Sequence, residues 1–422
     1  VRWTAVGLTV AVLAIWTTIR LTGEATPAAN GKPTSSVPAT GSVSTTSTVP
    51  APQLGAKTTV TVPGGTAAGV DVNIYSETSK VQPAIAGDPA RVYVPSGLGN
   101  TLTVIDQQSK KVLSTFHRRG SNPQHVVPSY DLRTLWVLNN KDDTVIPITA
   151  ATGSIGKPIA VTDPYNLYFT PDGTSAIVVA ERFARLDFRD PHTMKAQSSL
   201  VVEGCDGINH ADFSADGSYM IVTCEFAGKV AKIDMRQHKV VGLLDLTPPV
   251  HTESTSVVMT AMPQDIRLAP DGRRFYVADM AGGGLHVLDG ASFTEIGFVR
   301  TGVGAHGITP SHDGSKLYVS NRGSPMIAAG PKGPGSVSVV DVASDSVVGT
   351  WPVPGGGSPD MGNLTADGKE LWLSGRYDAE VYAFDTSTGH LIARIPVASG
   401  PHGLTVWPQA GRYSLGHTGN MR

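Results

Sequence analysis

Residues 271–279 read DGRRFYVAD and residues 313–321 read DGSKLYVSN. In both, an Asp-Gly turn leads directly into a short run of aromatic and β-branched residues, the signature of a tight turn feeding a strand. Outward from this pair the unit repeats. The turn returns as Asp172-Gly173, Asp216-Gly217 and Asp367-Gly368, with Asp131-Leu132 as a degenerate copy. Behind these turns stand SAIVVA (175–180), SYMIVT (218–223), ELWLSG (370–375) and TLWVLN (134–139). A third run closes on Asp106, Asp187, Asp234, Asp289, Asp341 and Asp385, and a fourth follows it, as in KVVGLLDL (239–246). Four short strands in a unit of roughly 40–55 residues is the pattern of a β-propeller blade. A parallel solenoid would have a shorter period, and a helical repeat would show a 3.6-residue rhythm that is missing here.

Six full units run from about 121 to 400, and RVYVPS (91–96), TLTVID (101–106) and KVLSTF (111–116) supply the later strands of a first one. The stretches PHGLTVWPQ (401–409) and RYSLGH (412–417) repeat the opening strands. The reading is therefore an all-β, seven-bladed propeller in which the last strand closes the N-terminal blade, leaving no open sheet edge. Its limits are residues 85–422, behind a lead-in at 57–84. Longer insertions at about 246–262 and 323–335 are expected as surface loops.

The runs RVYVPS, RFYVAD and KLYVSN, with the following VID or VVD, resemble the YVTN β-propeller repeat family. The resemblance covers roughly residues 85–410. It implies an exported seven-bladed propeller, related in fold to those of nitrous-oxide reductase and cytochrome cd1. It does not fix a function, because one fold hosts many chemistries. The nitrous-oxide reductase propeller holds copper on histidines at its channel mouth; this chain has too few histidines there for that reaction to be implied.

In a propeller the innermost strands all begin at one mouth of the central channel. Here those beginnings read PQH (123–125), PYN (164–166), INH (208–210), PQD (263–265), AHG (305–307), PDM (359–361) and PHG (401–403). His125, His210, His306, His402, Asp265 and Asp360 thus recur at nearly one structural position, four of the 12 histidines among them. Imidazoles with carboxylates are a ligand set for a divalent transition metal such as Cu or Zn. The other reading is structural: polar residues that cap strands and bind channel water. Asn166 fills the seventh place, and the ends of second strands add Glu181, Glu225, Asp279, Asn321, Arg322, Arg376 and His417 as a rim for a ligand. Cys205 and Cys224 flank one hairpin near His210; a disulfide is expected if the protein is exported, with a copper-ligand pair or free thiols as alternatives.

The 33 Lys and Arg residues against 35 Asp and Glu leave a formal charge of −2, which argues against nucleic acid as a partner. Apolar residues at 40% suffice for a large core, and two cysteines exclude a disulfide scaffold or a four-Cys zinc site. Residues 1–23 contain the uncharged stretch WTAVGLTVAVLAIWTTI (3–19), flanked by Arg2 and Arg20. As a helix it would reach roughly 26 Å, the low end of a bilayer span. It is expected to be a signal peptide or, left uncleaved, a membrane anchor. Residues 24–56 are Ser, Thr, Pro, Ala and Gly with few large apolar side chains, the composition of a disordered tether. The expected location is extracytoplasmic, secreted or held at the cell membrane.

There is no G-x-S-x-G elbow, C-x-x-C-H haem site, Walker loop or H-E-x-x-H motif. Ser358, in SPDMG (358–362), has no evident base. Two functions follow. The first is a monomeric, envelope-associated propeller that binds a small ligand, a metal, or a cell-wall or protein partner at the channel mouth. The second is a Cu- or Zn-dependent enzyme, a lactonase-like hydrolase or an oxidoreductase, centred on the mouth histidines.

Overall fold

The computed structural model describes residues 60–62, 65–67, 74–247 and 260–422. The apolar segment 1–23, the linker 24–56 and most of the 246–262 insertion lie outside the described residues. Among the described residues no helix is long and apolar enough to cross a membrane.

Among the described residues, a two-stranded pair, Val60–Val62 with Gly65–Ala67, precedes seven antiparallel blade sheets that follow one another in chain order, each running from the innermost strand outward. Six have four strands; the second has a fifth, short one. Blade five is typical: Pro263–Leu268 pairs Arg274–Asp279, which pairs Gly284–Asp289, which pairs Thr294–Arg300. The first blade takes its innermost strand, Thr405–Trp407, from the far end of the sequence, paired to Arg91–Ser96. This is the expected closure.

Local chemistry explains the repeat. At Gly173, Gly217, Gly272, Gly314 and Gly368 the backbone turns left-handed, with φ between 69° and 70°, a conformation glycine adopts without a Cβ penalty. The Asp before each glycine accepts hydrogen bonds from the turn; Asp216 Oδ1 takes the Ser218 N–H and the Ser214 hydroxyl. In the degenerate copy Leu132 itself takes φ 62° and buries its side chain in the core. Second strands are buried on both faces, whereas the outer strands Lys239–Asp245 and Ser346–Pro352 alternate exposed and half-buried residues, as edge strands do. Seven apolar clusters fill the interfaces, one being Ile221 and Val230 of blade four against Ile266, Leu268 and Phe275 of blade five.

Two features were not expected. RYSLGH does not continue the first blade: residues 408–422 instead enter the channel from the mouth where innermost strands end. Leu415 accepts from the Phe169 N–H, and the His417 N–H donates to Leu167. Further contacts lock the segment: Arg422 and Asn420 bond the buried Asp212 carboxylate. Gln409 and Thr418 bond Asn363. The lead-in joins this seal, with the Tyr75 hydroxyl on the Leu268 carbonyl and Thr78 on that of His312. The second feature is a register shift near the start of each innermost strand of blades two to seven. Such bulges re-aim side chains, and these lie at the residues that turn into the channel.

Candidate metal centre in the channel

The bulges bring His125, His210 and His306 into one layer, and His402, just before the innermost strand of blade one, joins them. Ring centroids are 4.7 Å apart for His125 and His402, 5.8 Å for His125 and His210, 6.2 Å for His210 and His306, and 5.7 Å for His306 and His402. A fifth ring, His417, comes from the channel plug and not from a second-strand end, lying 4.9 Å from His210 and 5.4 Å from His125. All five are at most 2% exposed.

The hydrogen bonds fix which nitrogen carries a lone pair. His125 Nδ1 lies 2.7 Å from the Tyr165 carbonyl, which can only accept, so Nδ1 holds the proton and Nε2 the lone pair. His210 Nδ1 lies 2.9 Å from Asn209 Oδ1, and the Asn209 amide is oriented by its own donation to Glu225 Oε2 at 3.0 Å. His210 Nε2 is therefore also a bare acceptor. Neither Nε2 has a hydrogen-bond partner, although buried polar atoms nearly always find one. His417 is held differently: Asn166 donates to its Nδ1 at 3.1 Å, and its Nε2 faces Asp265 Oδ1 at 3.6 Å.

Beside this trio, His306, Asp360 and His402 form a second set. His306 Nδ1 is 2.9 Å from Asp360 Oδ1, an approach too poorly aligned for a hydrogen bond, and Asp360 Oδ2 and His402 Nδ1 are also unpartnered. Within each trio the ligand atoms lie within 4.8 Å of one another. Metal–nitrogen bonds of ~2.0–2.1 Å in a tetrahedral site place ligands ~3.3 Å apart. Side-chain movements of about an ångström therefore close either set on an ion.

Electrostatics keep the ligands in the binding form. Burial pushes His125 and His306 down to about 4. It holds His210, His402 and His417 well below the usual imidazole range, with neighbouring histidines or arginines adding to the effect. The layer is neutral at pH 7. Burial alone would raise Asp360, but Arg322 and His306 outweigh it and keep the carboxyl well below its ordinary range.

Other predicted residues are already engaged. Asp265 lies in the channel, but its carboxylate binds Arg267 Nη1 at 2.6 Å and the Ile266 and Ile308 N–H groups. Asp279 turns into its own blade, accepting from Met262 and Ala281 N–H and facing His286, so it is not a rim residue. Asn321 is likewise spent on Thr301, Ser336 and Ser338. Ser358 donates to Asp378 and meets no histidine. Glu181, Glu225, Arg322 and Arg376 do sit at the mouth above the histidines. Sequence reading passed over Tyr165 and Asn209; each immediately precedes a channel residue inside a bulge, which is the signal that marks them. Cys205 and Cys224 form a disulfide with Cα atoms 4.7 Å apart. It ties the mouth end of blade four directly beside Glu225.

Fold and channel together define a seven-bladed β-propeller with a buried, histidine-lined lumen. Residues 257–412 match the family model of the YNCE-like beta-propeller, which bears out the resemblance drawn from the repeats. No curated protein matches the chain. Among solved structures, hydrazine synthase from Kuenenia stuttgartiensis is 19% identical with a TM-score of 0.54, covering 68% of this chain and 90% of that one. The dihydro-heme d1 dehydrogenase NirN in complex with DHE is 14% identical with a TM-score of 0.54, covering 79% of this chain and 80% of that one. A functionally unknown protein from Desulfotomaculum acetoxidans is 16% identical with a TM-score of 0.57, covering 75% of this chain and 98% of that one. At such identities the likeness is one of fold alone.

Proposed function

We propose that the protein is an extracytoplasmic, metal-binding propeller whose channel holds a divalent transition ion, Cu or Zn. His125 and His210 supply two Nε2 lone pairs, and His417 is the third ligand once Asn166 releases its ring. His306, Asp360 and His402 lie beside them, with Asp360 and His402 Nε2 already in contact with Arg322. The observation that carries this reading is the pair of buried, neutral imidazoles whose lone pairs face the lumen with no donor to meet them. Imidazole nitrogens with a borderline-soft character select Zn, Cu, Ni or Fe over Ca or Mg, and the Tyr165 carbonyl and Asn209 amide act as orienting partners of the kind metal-bound histidines use. The disulfide fits an oxidising compartment, in keeping with an export or anchor segment at 1–23 and a tether at 24–56 that would hold the propeller at the membrane or wall. A binding role is favoured over turnover because no nucleophile and base are paired among the described residues of the channel. Elemental analysis of protein purified without a His tag tests the proposal. Near-stoichiometric Cu or Zn that falls sharply in His210→Ala supports it; a trace level that the substitution leaves unchanged overturns it.

A further inference from the structure

Above the histidine layer, each blade contributes the residue that directly follows its second strand. In blades four to seven these residues donate their backbone N–H to the same place, the carbonyl just before the innermost strand: Glu225 to Gly207, Met280 to Met262, Arg322 to Gly304 and Arg376 to Ser358. Glu181 follows Ala180 at the corresponding point of blade three. One ring of equivalent positions therefore carries carboxylates on blades three and four and guanidiniums on blades six and seven. Gly97, Asn140 and Met280 separate the two halves through blades one, two and five. Three blade steps in a ring of seven put the acidic and basic pairs nearly opposite each other.

These acidic and basic side chains do not pair with one another. Arg322 is spent on Asp360, at 3.0 Å through Nε, and stacks near Tyr377. Arg376, partly exposed, has no carboxylate partner and only a 3.4 Å contact from Nη1 to the Gly400 carbonyl. Glu225 is oriented by Asn209. The Glu181 carboxylate, also partly exposed, has no hydrogen bond or ion pair. Tyr165, on the innermost strand of blade three, lies within electrostatic reach of Glu181, Glu225, Arg376 and Arg322. Beneath them lie the buried, unpartnered His402 Nδ1 and His125 Nε2. At these largely buried positions, an unpaired guanidinium opposite carboxyl groups that ionise on meeting an ammonium interacts with a ligand far more strongly than it would in water.

We propose that this mouth is a binding site for a small zwitterion, its carboxylate on Arg376 and its ammonium on Glu181 and Glu225. An Arg and a carboxylate form the bidentate, charge-assisted pair that gives such a site direction. Because the acidic and basic residues stand three blades apart in the ring, the two charges of the ligand are separated by a chain, as in an ω-amino acid or a dipeptide. The site does not depend on a metal below it.

Binding of 6-aminohexanoate, glycyl-glycine, hexanoate and hexylamine to the full chain, stripped with EDTA, tests the proposal by calorimetry at pH 7. The zwitterion 6-aminohexanoate should bind at least tenfold more tightly than either singly charged analogue. Arg376→Gln should reduce it to the level of hexylamine, and Glu181→Gln to that of hexanoate, while Arg376→Lys restores part of the loss; unchanged circular dichroism shows that the variants fold. Equal affinity for hexanoate and 6-aminohexanoate, or no binding of either zwitterion, overturns the proposal and leaves the metal reading standing, because the protein is metal-free throughout. Burial and the neighbouring Glu225 and Asp163 push Glu181 up to about 8, against Arg182 and Arg376, which pull it down. An ammonium arriving at pH 7 should therefore expel a proton, read as a binding enthalpy that varies with the ionisation enthalpy of the buffer.

Discussion

The two mouths of the channel are built from the same strands and differ in one respect. At the sealed mouth the buried polar groups meet partners: Asp212 takes Arg422 and Asn420, and the Asn363 amide takes Gln409 and Thr418. At the open mouth Glu181 and Arg376 have no ion pair, and two histidine lone pairs below have no donor. Saturated polar groups hold a structure together; unsaturated ones, retained at a cost in desolvation, mark where something else binds.

Substitutions at the two ends should therefore behave oppositely. Arg422→Met leaves the Asp212 carboxylate buried without its cation, and should cost roughly 3–5 kcal/mol, read as a large fall in the urea midpoint. Acid should act next most strongly. In metal-stripped protein, His125 and His306 titrate near about 4 when folded and near ~6.5 when unfolded. The unfolded chain binds more protons in between, so stability is full above ~6.5 and is lost as pH falls toward 4, by roughly 3 kcal/mol for each such group. A melting temperature that stays flat from pH 7 to pH 4 would contradict the neutral, buried layer. Cys224→Ser opens a loop with a sequence separation of 19 and should cost about 2–4 kcal/mol; thiol titration of the denatured, unreduced wild type should find no free thiol. The smallest effect is expected at the open mouth. Glu181→Gln and Arg376→Gln should change stability by no more than about 0.5 kcal/mol, while abolishing the selectivity for a zwitterion. A loss as large as that of Arg422→Met would mean the mouth is structural after all.

The fold was legible because the determinants of a blade are local. An Asp-Gly turn, a β-branched run and a closing Asp recur within each unit, and the unit repeats. The convergence of His125, His210, His306 and His402 was legible from the same alignment, since equivalent positions in a closed ring must share one volume. What could not be read was how each polar group is spent. Asp265 and Asp360 occupy equivalent places, yet Asp265 is neutralised by Arg267 two residues along its own strand, on the same face, whereas Asp360 meets Arg322 and the histidines from other blades. Asp279 looked like a rim residue until the hairpin placed His286 against it. The role of His417 was hidden for a different reason. RYSLGH reads as a repeat of the opening strands, but the position of residues 408–422 is set by contacts with Asp212 and Leu167, more than 200 residues away in sequence.

The central claim is that two orphaned imidazole lone pairs exist to receive a metal, with the channel plug bringing the third ligand. Competition of stripped protein against a chromophoric chelator for Zn2+ or Cu2+ measures this directly. The account predicts tight uptake of at least one equivalent, weakened about 100-fold or more by His210→Ala and by His417→Ala alike. Equal affinity in wild type and both variants would contradict it.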